Sequence, residues 1–250
     1  LGIRFVMDAL MKGGIPFHMK DAIPNLFAHW ISLDIIAYLR LVSGTGNTRA
    51  NWLRIMNRPN RYIKREALAP FTSDISVAQL KAYYQDKDWM LERLDRLEYD
   101  LSIMKRMSPY AAIHYLSNAM KYQDYLKDYA KEHHINEQEL LDVLNAVHES
   151  SQSCRTFAEW FTYIDTYTEE LQKQAKSPAS KDANNESGVC LCTLHCAKGL
   201  EYPIVFIPDI NEDNIPHARA AVDADLEEER RLFYVGITRA KEHLHLYCVG

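Results

Sequence analysis

The stretch from Val189 to Ile207 decides the fold of this chain and reads Val-Cys-Leu-Cys-Thr-Leu-His-Cys-Ala-Lys-Gly-Leu-Glu-Tyr-Pro-Ile-Val-Phe-Ile. Its two ends, residues 189–194 and 204–207, are short, apolar on both faces and rich in β-branched residues, which is typical of buried parallel strands. The polar residues between them therefore follow the carboxyl end of a strand, where open α/β sheets bind ligands. This stretch predicts an α/β layer with a ligand-binding loop.

The residues that follow complete the α/β pattern. Residues 226–241 have helical spacing and residues 244–249 read as a final strand, so the order is strand, strand, helix, strand. Arg239 lies on the packed face of the predicted helix, and its planar, permanently charged guanidinium suits phosphate recognition. The alternative is an ordinary amphipathic helix with Glu–Arg pairs, which accounts for Glu228, Arg230 and Lys241.

The first 47 residues predict a helix at 5–11, a strand at 15–19 and a helix at 30–42. The last of these helices ends at Ser-Gly-Thr-Gly-Asn, residues 43–47, which is a place for the chain to leave one domain.

Residues 48–175 predict an almost entirely helical region. Apolar residues recur at three- and four-residue steps, as in Met90, Leu91, Leu94, Leu97, Leu101 and Met104. Three helix starts carry N-cap patterns, namely Ser108 before Pro109, Asn136 with Glu139, and Thr156 with Glu159. Residues 177–188 are polar and aperiodic, which predicts a linker loop.

Composition sets limits on the class of protein. The chain has 250 residues, of which 47% are hydrophobic and 25% charged, as in ordinary soluble domains. No segment approaches the roughly 20 apolar residues of a membrane span, and the start, residues 1–4, shows neither an initiator Met nor a signal peptide. We therefore expect a cytoplasmic segment of a longer protein that has no membrane partner.

The cysteines favour reduced thiols. There are five of them, an odd number that argues against a secreted disulfide framework. The spacing Cys190-x-Cys192-x3-Cys196 suggests a metal or iron–sulfur site, but zinc sites usually need four ligands in paired spacings. We predict no metal site here, and interpret the three as small apolar residues in or beside a buried strand.

Any contact with nucleic acid must come from local patches, because the net charge is −5. One such patch lies between residues 49 and 65, where there is no acidic residue. Its basic residues are Arg49, Arg54, Arg58, Arg61, Lys64 and Arg65.

The segments 193–201 and 228–241 resemble the fifth and sixth conserved motifs of UvrD/Rep/PcrA-type superfamily 1 DNA helicases. The resemblance implies that Thr193 and His195 contact the backbone of single-stranded DNA. It implies roles for other residues too: Gly199 and Glu201 in binding ATP, and Arg239 as a catalytic arginine finger on the γ-phosphate. Lys198 is predicted to bind DNA, by holding the loop or a phosphate through its charge. Without the resemblance, His195 and Lys198 would be interpreted as a structural histidine and a solvated lysine.

The resemblance extends with lower specificity to residues 14–17, 33–41 and 54–61. Where the family often has a Gly-Ile-Gly turn that touches duplex DNA, this chain has Arg61-Tyr62-Ile63-Lys64. A basic stretch with aromatic residues could still follow phosphates. Duplex contact by Arg58, Arg61 and Lys64 is one interpretation, and a solvated or ion-paired face is the other.

The resemblance implies an α/β RecA-like (P-loop NTPase-type) parallel-sheet domain with a large all-α inserted subdomain. Residues 1–47 and 189–250 would form this 2A domain, and residues 48–176 the 2B insertion. No Gly-x4-Gly-Lys-Ser/Thr phosphate loop occurs in the sequence. The intact protein is therefore expected to use ATP and Mg²⁺ between this domain and an absent N-terminal motor domain, whereas the fragment alone would bind neither tightly and be inactive.

The expected partners are single-stranded and duplex DNA, the N-terminal motor domain and DNA-repair proteins, in repair or replication. Two other functions remain open. One is a non-catalytic module that binds DNA or protein, and the other is the motor half of an AddA/RecB-type helicase–nuclease.

Overall fold

The computed structural model describes residues 2–21, 24–46, 48–176, 188–211, 215–216 and 223–248. Most of the predicted linker, residues 177–187, lies outside them. The elements in chain order are α1 (Gly2–Lys12), β1 (Phe17–Met19), α2 (Trp30–Ser43), α3 (Thr48–Ile55), α4 (Val77–Tyr83), α5 (Asp88–Met104), α6 (Pro109–Asn118), α7 (Tyr122–His133), α8 (Glu137–Ser150), α9 (Phe157–Lys176), β2 (Val189–Leu191), β3 (Tyr202–Ile207), α10 (Asp223–Ile237) and β4 (Ala240–Leu246). Short 3₁₀ helices lie at Leu26–Ala28 and Arg65–Leu68. Among the described helices, none is both long and apolar enough to cross a membrane.

The chain divides into two compact units. One comprises Leu1–Ile23 and Leu171–Gly250, and the other, a helical unit, comprises Pro24–Glu170. The sequence predicts that the insertion begins at residue 48, whereas α2 already groups with the helical unit. The reason is that α2 packs against α3, α5, α6 and α8. The assignment of 2A and 2B domains remains a prediction.

The described strands of the first unit pair in parallel, β1 with β2 and β3 with β4. The prediction that residues 189–194 and 204–207 are buried is wrong for most positions. In β3 the side chains of Ile204 and Phe206 are 48% and 57% exposed, while Leu191 of β2 and Ile207 of β3 are buried. Each described sheet has two strands, so few neighbouring side chains cover its faces.

The predicted boundary after α10 is also wrong. The helix ends at Ile237 and β4 begins at Ala240, so Arg239 lies in a turn and not on the helix. The hydroxyl of Thr238 donates to the carbonyls of Tyr234 and Val235, at 3.0 Å each. The N–H of Arg239 donates to the Gly236 carbonyl at 3.2 Å, so the Val235 carbonyl lacks a helical N–H partner and accepts the Thr238 hydroxyl instead, which favours termination of the helix there.

In the helical unit, predicted helix starts and faces are confirmed. The side chain of Ser108 caps α6, and that of Asn136 accepts the N–H of Gln138 at the start of α8. Thr156 accepts the N–H of Glu159, at 3.2 Å. In α5 the predicted apolar face is buried at Met90, Leu94, Leu97 and Met104, and half-buried at Leu91 and Leu101.

A buried carboxylate, Asp34 of α2, joins three helical segments. Its side chain is 0% exposed and lies 2.9 Å from both Arg54 Nε and Arg58 Nη1, and the hydroxyl of Tyr122 donates to it at 2.9 Å. We call these four residues the Asp34 cluster. Burial raises the pKa of Asp34 despite the two arginines and the tyrosine, which lower it. For the Asp34 carboxylate, the cost of desolvation therefore exceeds the gain from its partners, as is common for buried ion pairs.

Candidate functional site

The polar loop 193–201 runs from the end of β2 to the start of β3 and is built from consecutive turns. The N–H of Ala197 donates to the carbonyl of Thr193 at 3.0 Å, and the N–H of Leu200 donates to Ala197 at 3.1 Å. Gly199 has φ +84°, in the left-handed region that favours glycine. Apart from its two chain neighbours, no heavy atom of the described residues lies within 4 Å of where its Cβ would be, so the space beside Gly199 is open.

Asp21, which follows β1, holds the start of this loop. Its carboxylate accepts the N–H of Thr193 at 2.5 Å and also bonds to the Thr193 hydroxyl. Burial raises the pKa of Asp21, but hydrogen bonds from Cys196 and Thr193 and the charge of His195 outweigh it, so the pKa is lowered. Sequence reasoning missed Asp21. The available signal was an acidic residue just after a short strand, since parallel strands end at the same edge.

Of the residues predicted to contact single-stranded DNA, His195 and Lys198 have exposed side chains. Thr193 is exposed as well, but its polar groups are engaged in the loop, because its hydroxyl also accepts the N–H of Cys196 at 3.3 Å. The structure thus presents two cationic or titratable side chains on the loop. The polar groups of Thr193, in contrast, form hydrogen bonds with Asp21 and Cys196.

Arg239 connects the turn after α10 to the loop 193–201. Its Nε donates to the Val235 carbonyl at 2.8 Å, Nη1 to the Leu200 carbonyl at 3.0 Å, and Nη2 to the Thr238 hydroxyl at 2.9 Å. A guanidinium has five N–H groups. Its three hydrogen bonds to described residues leave two N–H groups, one on each terminal nitrogen, for a ligand. The side chain is therefore both fixed and still able to donate.

Glu201 and Lys241 form an ion pair beside this arginine, with Nζ 3.1 Å from Oε2. Both side chains are more than half exposed, at 62% and 56%. An ion pair so accessible to water contributes little to stability. Glu201 can therefore exchange this partner for a ligand at little cost.

Gly236 of α10 lies against the loop and β3. A Cβ placed on it would be 2.6 Å from Leu194 Cδ2 and 3.1 Å from Ile207 Cδ1. Only a residue without a side chain allows α10 to approach so closely. Leu194, Gly236 and Arg239 thus hold the two predicted motif segments together.

Replacement of Gly236 by alanine is expected to lower the free energy of unfolding by about 1–3 kcal/mol, because the added methyl overpacks this contact. Removal of the nearer obstacle in a Leu194→Ala background is expected to reduce that loss. Urea unfolding of the wild type, the two single variants and the double variant gives a coupling energy, expected to exceed about 0.5 kcal/mol. Additive losses would contradict the close approach.

The five cysteines are free thiols. Cys190 Sγ lies 3.3 Å from Tyr202 Oη. The hydrogen bond between the thiols of Cys190 and Cys192 lowers the pKa of the first and raises that of the second. Among the described residues, no group of three or more His, Cys, Asp or Glu side chains could hold a metal ion.

In the helical unit, two of the predicted duplex contacts are engaged internally. Arg58 pairs with Asp34 and its guanidinium carbon lies 5.6 Å from the centre of the Trp30 ring. Arg61 Nη1 donates to the carbonyls of Ile55 and Pro59, at 3.2 Å each. Arg58 is thus ion-paired and Arg61 is hydrogen-bonded to backbone carbonyls, while contact of either with duplex DNA stays a prediction. Lys64, in contrast, has an exposed side chain.

Helices and parallel strand pairs, with a polar loop at the carboxyl end of a strand that an arginine connects to the end of a helix, define the first unit as α/β. Residues 3–249 match the family of the UvrD-like helicase C-terminal domain. The chain belongs to this family.

Individual relatives agree with the family. The chain is 29% identical to the ATP-dependent DNA helicase PcrA of Bacillus subtilis, over 97% of this chain and 34% of PcrA. It is 28% identical to the YjcD protein of the same organism, over 99% of this chain and 32% of YjcD. It is 27% identical to the ATP-dependent DNA helicase Rep of Buchnera aphidicola, over 98% of this chain and 40% of Rep. The chain thus spans between about a third and two fifths of these relatives.

Proposed function

We propose that this chain is the C-terminal part of an ATP-dependent DNA helicase and contributes one wall of its ATP site and part of its single-stranded DNA track. Residues 1–47 and 189–250 would belong to a RecA-like 2A domain, with residues 48–176 as the 2B insertion. Membership of the UvrD-like C-terminal family and the names of the helicases PcrA and Rep support the proposal.

The observation that carries the ATP role is the position of Arg239. Bonds to three acceptors of its own chain fix the guanidinium, and two N–H groups remain to donate to a phosphate. Gly199 leaves open space above the loop and Glu201 is accessible for a ribose hydroxyl. These residues fit one side of a nucleotide. ATP would supply the phosphoryl group that is transferred to water.

Among the described residues, no group of three or more His, Cys, Asp or Glu side chains could hold a metal ion, so we assign no Mg²⁺ ligand to them. No step that we propose for this chain depends on the metal.

Coupling between ATP and DNA is proposed to pass through the bond from Arg239 to the Leu200 carbonyl. A phosphate that draws the guanidinium would also draw the loop that carries His195 and Lys198. Those side chains, with Thr193, would then change their contact with the DNA backbone. We further propose that Lys64 contacts duplex DNA and that Arg58 and Arg61 position its segment. The protein would act in DNA repair or replication, with repair proteins as partners.

The test compares the full-length parent protein with the 250-residue chain in an assay of DNA-stimulated ATP hydrolysis. The parent is expected to hydrolyse ATP faster when single-stranded DNA is added, and the chain alone is expected to show no turnover. Robust turnover by the chain alone would sink the proposal. A parent without ATPase would instead favour a non-catalytic binding module, and single-strand cleavage by the parent would favour a helicase–nuclease.

A further inference from the structure

Two exposed aromatic rings and an arginine form a surface cluster in the helical unit. The side chains of Tyr62 and Trp89 are 60% and 51% exposed. The guanidinium carbon of Arg93 lies 5.0 Å from the centre of the Tyr62 ring and 5.1 Å from that of Trp89. Within the described residues, Arg93 forms no ion pair with a carboxylate. We call these three residues the Tyr62 platform.

The backbone of Tyr62 adopts a conformation that tyrosine disfavours. Its φ is +60°, in the left-handed region where a side chain is sterically disfavoured. Side chains around the turn hold it there. Asn60 accepts the N–H of Tyr62 at 3.0 Å, and Asn57 both accepts the N–H of Ile63 and donates to its carbonyl, at 2.9 Å each. The turn thus keeps a glycine-like backbone while it presents an aromatic ring.

Beside the platform lies an open groove of about 700 Å³ with an excess of positive charge. Its basic lining residues are Arg61, Arg93, Arg96 and Lys121, and its acidic ones are Glu92 and Asp100. Asp100 is 6% exposed and accepts the hydroxyl of Tyr115 at 2.9 Å, so Glu92 is the acidic side chain that faces solvent there. This local charge contrasts with the net charge of −5 for the whole chain.

We propose that the Tyr62 platform binds unpaired bases of single-stranded DNA by stacking, while the exposed side chains of Arg96 and Lys121 in the groove hold the adjacent phosphates. Aromatic rings that are more than half exposed match nucleobases, because every base has a π-face on which an aromatic side chain can stack. Arg93, which contacts both rings, adds a donor for phosphate. An acidic peptide would satisfy the charge but would leave both rings without a planar partner.

The proposal extends the proposed function, because it takes DNA as the ligand, but it concerns a surface of the helical unit that needs no ATP. Its failure is therefore distinguishable from failure of the helicase assignment. If the platform does not bind DNA, DNA-stimulated ATP hydrolysis by the parent still tests the helicase assignment.

The test measures binding of the 250-residue chain to two fluorescein-labelled probes by anisotropy. One probe is a short oligothymidylate, and the other has the same length and phosphates with abasic sites in place of its central bases. Stacking contributes about 1–3 kcal/mol per base, so Tyr62→Gly and Trp89→Ala are each expected to weaken oligothymidylate binding by roughly fivefold or more. Neither substitution is expected to change binding of the abasic probe. Arg93→Ala is expected to weaken binding of both probes.

The matched control is Tyr99→Ala, since Tyr99 is an equally exposed aromatic residue of α5, at 63%. It is expected to leave both affinities unchanged. Tyr62→Gly relieves the disfavoured φ, so it separates binding from folding, and thermal unfolding of each variant checks this. Equal affinity for the two probes in the wild type would overturn the proposal. So would competition by polyglutamate as strong as that by oligothymidylate, which would identify an acidic protein as the partner.

Discussion

Replacement of Arg239 by alanine in the full-length parent is expected to lower DNA-stimulated ATP hydrolysis by about 10³-fold or more. The reason is that the two N–H groups left free by its bonds to Val235, Leu200 and Thr238 are the proposed donors to the γ-phosphate. Steady-state hydrolysis with saturating single-stranded DNA measures the effect. The affinity for ATP is expected to fall much less than kcat, because an arginine finger acts mainly in the transition state.

Arg239 also connects two segments of the chain, so its loss could act through folding. Arg239→Lys tests this, because lysine keeps the charge but lacks the planar fork that reaches several acceptors at once. It is expected to retain little activity. Arg231→Ala is the matched control on α10, where Arg231 is 75% exposed and lies 3.8 Å from Glu228. An Arg239→Ala parent that hydrolyses ATP at the wild-type rate would contradict the assignment.

Replacement of Asp34 by alanine is expected to lower the free energy of unfolding of the helical unit by about 3 kcal/mol. Removal of one partner from a buried ion pair usually costs about 3–5 kcal/mol. The lower end applies because the side chains of Arg54 and Arg58 are 32% and 39% exposed and remain accessible to water. The total free energy of unfolding of a domain is about 5–15 kcal/mol, so this loss is large. Urea unfolding followed by circular dichroism measures it.

Asp34→Asn distinguishes the charge from the shape at this position. It keeps an acceptor for the hydroxyl of Tyr122 but removes the negative charge between the two arginines, so an intermediate loss is expected. The matched control is Asp95→Ala, because Asp95 is 64% exposed and pairs with Lys81 at 2.6 Å on the surface. It is expected to change stability by less than about 1 kcal/mol. Equal losses at Asp34 and Asp95 would contradict the role of burial.

Several features could be predicted from local patterns. The period of α5, the cap at Ser108 and the loop after β2 depend on residues that are neighbours in sequence, and the structure has them. The family resemblance of residues 193–201 and 228–241 is likewise confirmed by the match over residues 3–249. The end of α10 was misplaced because hydrogen bonds of Thr238 and Arg239 to carbonyls of the last turn compete with further helix.

By itself, the sequence determined the helical and strand periods, the parallel strand-end loop and the family, because each is encoded by residue types at fixed local spacings. The tertiary structure alone decided which polar groups meet. Asp21 bonds to a residue 172 positions away, and Asp34 to Tyr122 across 88 positions. It also decided that Arg58 is internally paired and that the ring of Tyr62 faces solvent. Burial and long-range pairing depend on how whole elements pack, which no local spacing encodes.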